Sequence, residues 1–312
     1  MIAFGPIPSR RLGKSLGINN IVSHKVCSYS CVYCQIGNTV NKSIAKRSFC
    51  DPHNLVKNVE IHLKKLNTNY TPDYLTFVAN GEPTLDLNLG MEIQLIKKFR
   101  IPVAVITNAS LIHDRQVQNN LMAADWVSVK IDTIDELVWQ HINRPLAGTN
   151  FKKILKGLKV FAAAYRGKFN TETMLVHGYN DSTEQLKENA SFIAQLQPQK
   201  AYLSIPIRPP TVNKIKHVSE EKLTEAWQLY QKAGLDTELL TGFEGTDTGT
   251  TGNAFEDILN ITAVHPLRED SVIRLLKQNN TDNSVIVTLV AQRLIKRVNY
   301  NGNTYYIRNY HY

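Results

Sequence analysis

The chain has 312 residues and a formal net charge of +9, with 43% hydrophobic and 20% charged residues. This composition is ordinary for a folded globular protein and excludes a disordered or collagen-like chain, and the length is close to that of two domains. No apolar run approaches the roughly 20 residues of a membrane-spanning helix, and the N-terminus lacks the apolar core of a signal peptide, so a cytoplasmic protein without membrane contact is expected.

The N-terminal region holds most of the positive charge and all of the cysteines. Residues 1–70 contain ten Lys and Arg against two Asp and Glu, and the cysteines of the same region are Cys27, Cys31, Cys34 and Cys50. A disulfide framework normally spreads its cysteines across the fold, and a cytosolic chain keeps its thiols reduced. The grouping therefore indicates metal binding or redox chemistry.

Most of the chain alternates short apolar runs with longer amphipathic stretches, which is typical of repeated βα units around a parallel sheet. Strands are predicted at residues 16–22, 74–78, 103–107, 126–131, 171–176 and 201–205. Helices are predicted at residues 52–66, 87–99, 114–123, 151–165, 182–196 and 220–233. Six units fall short of the eight of a complete barrel, so residues 1–240 fit an α/β fold that is either a partial (β/α)6 TIM-like barrel or a doubly wound sheet.

The C-terminal part has a different pattern. Residues 241–253 are rich in Gly and Thr without the Lys and spacing of a phosphate-binding loop, so they are predicted to be a linker. Helices follow at residues 255–259, 268–278 and 284–295, and then two β-rich runs flank Asn301-Gly302, a strong hairpin signal. Residues 254–312 are therefore predicted to form a small winged-helix-like domain.

Three cysteines have the spacing C-x3-C-x2-C, at Cys27, Cys31 and Cys34. Iron–sulfur clusters are held by thiolates, and a 4Fe-4S cluster ordinarily uses four, so three ligands leave one iron open to another molecule.

Two other interpretations of the cysteines remain open. A structural zinc site accepts three Cys and one His, and His24 or His53 would complete it. Alternatively, Cys50 would be the fourth cluster ligand of an electron carrier, although its distance in sequence from Cys34 matches neither ferredoxin spacing. A zinc site combined with a winged helix would indicate a different kind of protein, a non-catalytic, zinc-stabilised nucleic-acid-binding protein.

The string C-x3-C-x-aromatic-C, with Tyr33 as the aromatic residue, resembles the cluster motif of the radical S-adenosylmethionine (radical SAM) enzymes. The resemblance implies a partial barrel in which the three cysteines hold a 4Fe-4S cluster that binds S-adenosyl-L-methionine. Reduction would then release a 5′-deoxyadenosyl radical that abstracts hydrogen from a substrate. Residues 4–19, FGPIPSRRLGKSLGIN, are similar to the bacterial group related to wyosine tRNA synthases. Those enzymes carry further N-terminal cysteines, whereas this chain has only Cys50 to spare, which we expect to be buried as a small apolar residue.

A second motif follows the second predicted strand, at the end of the sheet where active sites of barrel-like proteins collect. Asn80-Gly81-Glu82-Pro83 is similar to the GGEP motif of the family, whose backbone and Glu receive the ammonium group of S-adenosylmethionine. Asn80 replaces the first Gly of that motif. A Gly-Glu-Pro sequence also fits an ordinary turn.

Further polar residues follow the later predicted strands. Thr107 and Asn108 resemble the segment that borders the ribose of S-adenosylmethionine, and Lys130 and Asp132 lie where related enzymes contact its carboxylate and ribose. His177, after the fifth strand, is another candidate for cofactor or substrate contact. Singly, these residues also fit helix caps or strand-edge charges, but their order after successive strands favours one site.

The charge pattern raises two hypotheses about partners. The cations around the cysteines would attract RNA or another anionic substrate, or an acidic flavodoxin or ferredoxin that delivers the electron; they are Arg10, Arg11, Lys14, Lys25, Lys42, Lys46 and Arg47. In the tail, cations beside tyrosines would suit RNA, unless the tyrosines pack against neighbouring helices; these residues are Arg293, Lys296, Arg297, Arg308, Tyr305, Tyr306 and Tyr310.

Overall fold

A single large sheet with helices around it forms the frame of the protein, whose computed structural model describes residues 2–309. The strands are β1 (Ala3–Ser9), β2 (Gly13–Ile18), β3 (Val26–Cys27), β4 (Asn41–Lys42), β5 (Tyr74–Phe77), β6 (Val103–Thr107), β7 (Trp126–Lys130), β8 (Lys168–Met174), β9 (Lys200–Ser204), β10 (Thr237–Leu240), β11 (Leu267–Arg268), β12 (Ile295–Tyr300) and β13 (Asn303–Arg308).

The helices alternate with the strands through most of the chain. They are α1 (Pro52–Lys65), α2 (Leu89–Ile96), α3 (Arg115–Leu121), α4 (Glu136–Asn143), α5 (Phe151–Ala164), α6 (Thr183–Gln195), α7 (Glu220–Lys232), α8 (Ala254–Thr262), α9 (Glu269–Gln278) and α10 (Ser284–Ala291). Short 3-10 helices span Thr68–Tyr70, Pro83–Leu85 and Lys97–Phe99. The predicted start of α1 is confirmed by the Asp51 cap, and that of α6 by the capping box of Ser182 with Gln185.

The large sheet is open and has the strand order β1-β2-β5-β6-β7-β8-β9-β10. β1 runs antiparallel to β2, and the remaining neighbours run parallel to each other. The predicted partial barrel of the α/β class is confirmed, with β1 and β10 in addition to the six predicted strands. The first predicted strand ends earlier than expected, because the side chain of Asn19 accepts hydrogen bonds from the backbone of Ile21 and Asn80 and directs the chain out of the sheet.

The two faces of the sheet are filled differently. Alternate residues on one face, such as Leu75, Phe77 and Val105, are buried in the main core with the helices. The opposite, concave face holds a smaller apolar cluster around Trp126 and Tyr202. Lys130, at the carboxyl end of β7, lies on the same face as Trp126, because alternate residues of a strand share a face.

The two edge strands of the sheet, β1 and β10, are connected through the β1–β2 turn and residues 241–253. The guanidinium of Arg10 donates to the carbonyl of Leu240 at the end of β10. In residues 241–253, the backbone N–H of Gly249 donates to Pro6 O at 2.7 Å, and a Cβ at Gly249 would lie 2.5 Å from the Pro6 ring. The segment predicted as a linker thus packs directly on β1.

The C-terminal residues form three helices and a three-stranded sheet of order β11-β13-β12, which we call the C-terminal unit (residues 254–309). The predicted hairpin is confirmed, with positive φ angles at Asn301 and Gly302. Phe4 of β1 is 1% exposed and packs into the core of this unit with Ile258. That the unit is a separate winged-helix-like domain stays a prediction.

The tyrosines of the hairpin point inward. Tyr305 and Tyr306 are buried, and the Tyr305 hydroxyl donates to the carbonyl of Ile207 at 2.9 Å. The alternative in which these tyrosines pack against the protein is therefore the one observed, while Tyr310 lies outside the described residues. None of the helices in residues 2–309 has the length and apolar character required to cross a bilayer.

Candidate functional site

The three cysteines of the motif lie on a loop whose two ends are paired with each other. Val26 and Cys27 of β3 pair in parallel with Asn41 and Lys42 of β4, so the chain from Cys27 to β4 forms a closed loop, which we call the cysteine loop (residues 27–40). The base of this loop is also held by the Asn80-Gly81-Glu82-Pro83 segment, because Val26 N–H donates to Asn80 O at 3.2 Å and Val26 O accepts from Glu82 N–H at 3.0 Å.

Gly81 makes this pairing possible. Its φ is 132°, and a Cβ built there would lie 1.7 Å from the carbonyl oxygen of Val26. A side chain at this position is incompatible with so close an approach of the two backbones. The glycine of the second motif therefore sets the position of the first cysteine.

Each of the three sulfurs faces one side-chain N–H donor. The donor–sulfur pairs are Lys25 Nζ to Cys34 Sγ at 3.1 Å, Asn108 Nδ2 to Cys27 Sγ at 3.4 Å and Asn143 Nδ2 to Cys31 Sγ at 3.4 Å. Hydrogen bonds to the sulfurs are among the features that set the reduction potential of an iron–sulfur cluster. The loop thus holds its sulfurs in a polar shell suited to negative charge.

The three thiols of the motif are a donor set that fits an iron–sulfur cluster. Burial raises the pKa of the Cys31 thiol to about 12 and raises that of Cys27 as well, so a bound cation is needed to hold these thiolates at neutral pH. Within residues 2–309, no three His, Cys, Asp or Glu side chains are grouped to hold one metal ion. In a cluster each thiolate binds a different iron, so such convergence is not required. His24 and His53, the predicted zinc alternatives, are both exposed.

The carboxylate of Glu82 is fully engaged with the protein. It is 1% exposed and accepts hydrogen bonds from the Thr107 hydroxyl at 2.6 Å, from Asn108 N–H at 2.8 Å and from both N–H and hydroxyl of Thr84 at 3.0 and 2.7 Å. Glu82 therefore ties the loops after β5 and β6 together. In this segment the backbone carbonyl of Gly81 makes no hydrogen bond to the described residues and remains for a ligand.

A second polar group surrounds Cys31. The Tyr33 hydroxyl donates to Asp132, and Asn143 Nδ2 donates to the same carboxylate oxygen at 2.7 Å. Lys130 Nζ lies 5.3 Å from the centre of the Tyr33 ring, and burial lowers the pKa of this lysine. These contacts bring the end of β7 to the cysteine loop.

Lys130 is also paired with a buried acid that the sequence did not single out. Its ammonium lies 3.0 Å from Glu172 of β8, which is 4% exposed. Glu172 also accepts from the guanidinium of Arg11 and from the Ser204 hydroxyl at 3.0 Å. One carboxylate thus neutralises two half-buried cations on the concave face.

Two other predicted positions lie apart from these contacts. His177 is exposed and its Nδ1 lies 3.0 Å from Asp181 of its own loop, so its role at the site stays a prediction. Cys50 is 8% exposed within the main core, in agreement with its expected role as a small buried residue. Burial raises the pKa of Cys50 to about 11.

Most cations around the cysteines bind protein atoms. Besides Arg10, Arg11 and Lys25, Lys46 pairs with Asp114 at 2.6 Å, and Lys42 donates to two backbone carbonyls. Much of the N-terminal charge therefore stabilises the fold, and we do not assign the substrate to it.

A large cleft separates the cysteine loop from the C-terminal unit. This junction cleft has a volume of about 750 Å³ and is lined by Cys34, Gln35, Pro209, Thr262, Lys296 and Arg308, among others. A second cleft of about 380 Å³ lies on the side of Asn80, and Ala263 and Arg308 line both.

A buried polar network connects the cysteine loop to the C-terminal unit beside the junction cleft. Gln35 accepts from Arg208 at 2.9 Å and donates to Val264 O at 3.0 Å. Arg208 pairs with Glu244, whose carboxylate also lies 2.9 Å from His265 Nε2. The hydrogen bond from His265 and the charge of Arg208 hold the pKa of Glu244 well below its usual range, against its burial.

Two of the residues that donate hydrogen bonds to the cysteine sulfurs were not predicted as site residues from the sequence. Asn143 ends α4, a helix that was not predicted, although Asp135 caps it by accepting from Leu137 N–H and Val138 N–H. The Asp-Glu pair before that helix is a start signal that would have indicated it. Lys25 was counted only as part of the basic region.

Comparisons with known proteins show what the chain is similar to. A family model described as the Radical SAM superfamily matches residues 21–190. The chain is 44% identical over 310 residues to the UPF0026 protein MJ1312 of Methanocaldococcus jannaschii, covering 99% of this chain and 96% of that protein. A protein of Lacinutrix mariniflava named S-adenosylmethionine-dependent nucleotide dehydratase is 32% identical over 149 residues, which cover 45% of this chain and 29% of that protein.

The fold is similar to that of solved structures. The crystal structure of Streptococcus suis SuiB bound to precursor peptide SuiA aligns with a TM-score of 0.55 and 14% identity, over 73% of this chain and 48% of that chain. This likeness concerns the partial barrel.

Proposed function

Because the chain belongs to the radical SAM superfamily of enzymes, we propose that it cleaves S-adenosylmethionine reductively at a 4Fe-4S cluster held by Cys27, Cys31 and Cys34. When bound, the cluster would supply the electron that splits S-adenosylmethionine into methionine and a 5′-deoxyadenosyl radical, which takes a hydrogen atom from the substrate. The observation that carries the proposal is the closed cysteine loop, in which every sulfur faces its own N–H donor.

The surrounding residues have separate roles in this proposal. The backbone of Asn80, Gly81 and Glu82 would bind the ammonium group of S-adenosylmethionine, since the Glu82 carboxylate is occupied by Thr84, Thr107 and Asn108. Lys130 would pair with the cofactor carboxylate, which carries the opposite charge. Asp132 would bind a ribose hydroxyl while it keeps Tyr33 and Asn143 in place.

We further propose an anionic substrate and an acidic electron donor such as flavodoxin or ferredoxin. The net charge of +9 supports both, because it favours encounter with anions. The relative named S-adenosylmethionine-dependent nucleotide dehydratase supports a phosphorylated substrate. RNA and free nucleotides both carry such phosphates.

The proposal is tested with anaerobically purified protein, dithionite and S-adenosylmethionine. We expect bound iron and sulfide, and formation of 5′-deoxyadenosine. Cys31→Ala should lose iron and product, whereas Cys50→Ala is the matched control, because Cys50 is a buried cysteine outside the loop. Zinc without iron in the folded protein, or undiminished product from Cys31→Ala, would refute the proposal.

A further inference from the structure

We propose that the junction cleft is the substrate site and that it binds a phosphorylated substrate through Lys296 and Arg308 of the C-terminal unit. This inference deepens the proposed function and rests on it for the identity of the reaction. It assigns part of the active site to residues outside the barrel.

The position of the cleft supports the proposal. Cys34, one of the three cluster cysteines, lines the junction cleft, so a molecule bound there lies next to the cysteine loop. The smaller cleft reaches Asn80, where the cofactor ammonium would bind. The two clefts meet at Ala263 and Arg308, which places the proposed substrate and cofactor regions side by side.

The charge of the lining selects anions. Lys296 and Arg308 are the charged side chains that line the junction cleft in residues 2–309, and neither Asp nor Glu contributes to its wall. Lys296 is exposed and makes no hydrogen bond or ion pair within the described part of the chain. A cation in that state is available to a phosphate oxygen.

The rest of the lining suits a polar body attached to the phosphate. The wall includes the exposed side-chain amides of Asn38 and Asn213, whereas the amide of Gln35 is already bonded to Arg208 and Val264. Amides both donate and accept hydrogen bonds, as recognition of sugar hydroxyls and base edges requires. The volume of about 750 Å³ is within the usual range of small-molecule sites.

The walls of the cleft are fixed to each other before any ligand binds. The Thr211 hydroxyl donates to Cys34 O at 2.6 Å, and Tyr300 of β12 donates to Pro206 O at 3.1 Å. Gln35 joins the cysteine loop to the end of α8 through Val264. These contacts fix the position of the C-terminal unit relative to the cysteine loop, so the cleft is formed before a ligand binds.

The test measures binding of ATP and of a short fluorescent single-stranded RNA to the cluster-loaded protein under anaerobic conditions. Lys296→Glu and Arg308→Gln should each weaken binding at least about tenfold, since each removes a charged hydrogen bond. Lys277→Glu is the matched control, because Lys277 is an exposed lysine of the same unit that lines neither cleft. Thermal unfolding of each variant reports whether it is folded.

The possible outcomes distinguish a free nucleotide from a nucleic acid as the source of the phosphate. They also distinguish failure of the cleft assignment from failure of the proposed function. Binding of ATP identifies a free nucleotide as the source, and binding of RNA alone identifies a nucleic acid. The cleft assignment is overturned if the wild type binds neither probe, if Lys296→Glu binds like the wild type, or if Lys277→Glu loses as much affinity. Formation of 5′-deoxyadenosine without substrate is measured in parallel, and its failure refutes the proposed function without affecting the binding result.

Discussion

The ammonium group of Lys25 lies 3.1 Å from the sulfur of Cys34, and the lysine is only 3% exposed. The same ammonium donates to the carbonyl of Gly37 within the cysteine loop. A buried cation is stabilised by an anion beside it, and here the adjacent group is a sulfur that becomes negative when it binds iron. Lys25 therefore places a fixed positive charge next to the proposed cluster.

Lys25→Met should make the cluster harder to reduce, because it removes positive charge beside a group that gains an electron. We expect the ratio of reduced to oxidised cluster at a fixed potential to fall about tenfold, which equals about 59 mV for a one-electron couple. A spectroscopic redox titration of the loaded protein measures this shift. Lys57→Met, on the exposed side of α1, is the control. An unchanged potential in Lys25→Met would contradict the assignment.

Gly81→Ala should destabilise the chain by about 3 kcal/mol, because its Cβ would lie 1.7 Å from Val26 O at a φ of 132°. Urea unfolding of the metal-free chain measures the change. Gly178→Ala shares the positive φ but has no atom within 4 Å of the new Cβ, so it should lose only about 1 kcal/mol. Equal losses in both variants would show that the contact with Val26 is unimportant.

Glu82→Gln should lower the free energy of unfolding by about 1–3 kcal/mol, since an amide cannot accept all the hydrogen bonds that the buried carboxylate accepts. The loss should occur in the metal-free chain, because Thr84, Thr107 and Asn108 are its partners there. Urea unfolding provides the measurement, with the exposed Glu188→Gln as control. If only the binding of S-adenosylmethionine were affected, the carboxylate would be a ligand contact instead.

Glu92 should make stability depend on pH. It is fully buried, and its pKa is raised from 4.5 to about 9, first by burial and then by the charge of Asp86. Between these values the folded chain binds a proton that the unfolded chain has lost, so stability present at low pH is lost as pH rises, by up to about 1.4 kcal/mol per pH unit.

Glu92→Gln should remove most of this slope between about pH 7 and about pH 9. The two proteins are compared above about pH 6. Below this value Asp86, whose pKa burial raises to about 6, also makes stability depend on pH. Urea unfolding across the pH range measures it, with Glu188→Gln expected to keep the wild-type slope. A steep decline in Glu92→Gln would assign the effect to another group.

The sequence predicted what local patterns encode. The apolar runs identified the six strands. The cysteine spacing and Asn80-Gly81-Glu82-Pro83 predicted a site from two segments that the structure places side by side. β1 was missed because it contains Gly5, Pro6 and Pro8, which disfavour a strand except at a sheet edge. β10 was missed because it has only 4 residues and its burial comes from β9 alongside.

The contacts among the site residues were beyond prediction because they join distant parts of the chain. Asn108 and Asn143 lie 81 and 112 positions from the cysteines to which they donate. Which amide reaches which sulfur depends on how the loops after β6 and β7 pack, and no local pattern specifies that packing. The charged residues of the junction cleft were noted in the sequence, but not their position beside Cys34.

The packing of Phe4 constrains the order in which the protein can fold during its synthesis. Phe4 is synthesised long before the residues of α8, and its ring covers Gly17 of the neighbouring strand. Its other neighbours include Ile258 and Ile261 of α8, which lie far later in the chain. Until those residues emerge, an apolar strand at the sheet edge is uncovered, a state prone to aggregation. β1 must therefore stay protected in the nascent chain until α8 has been made.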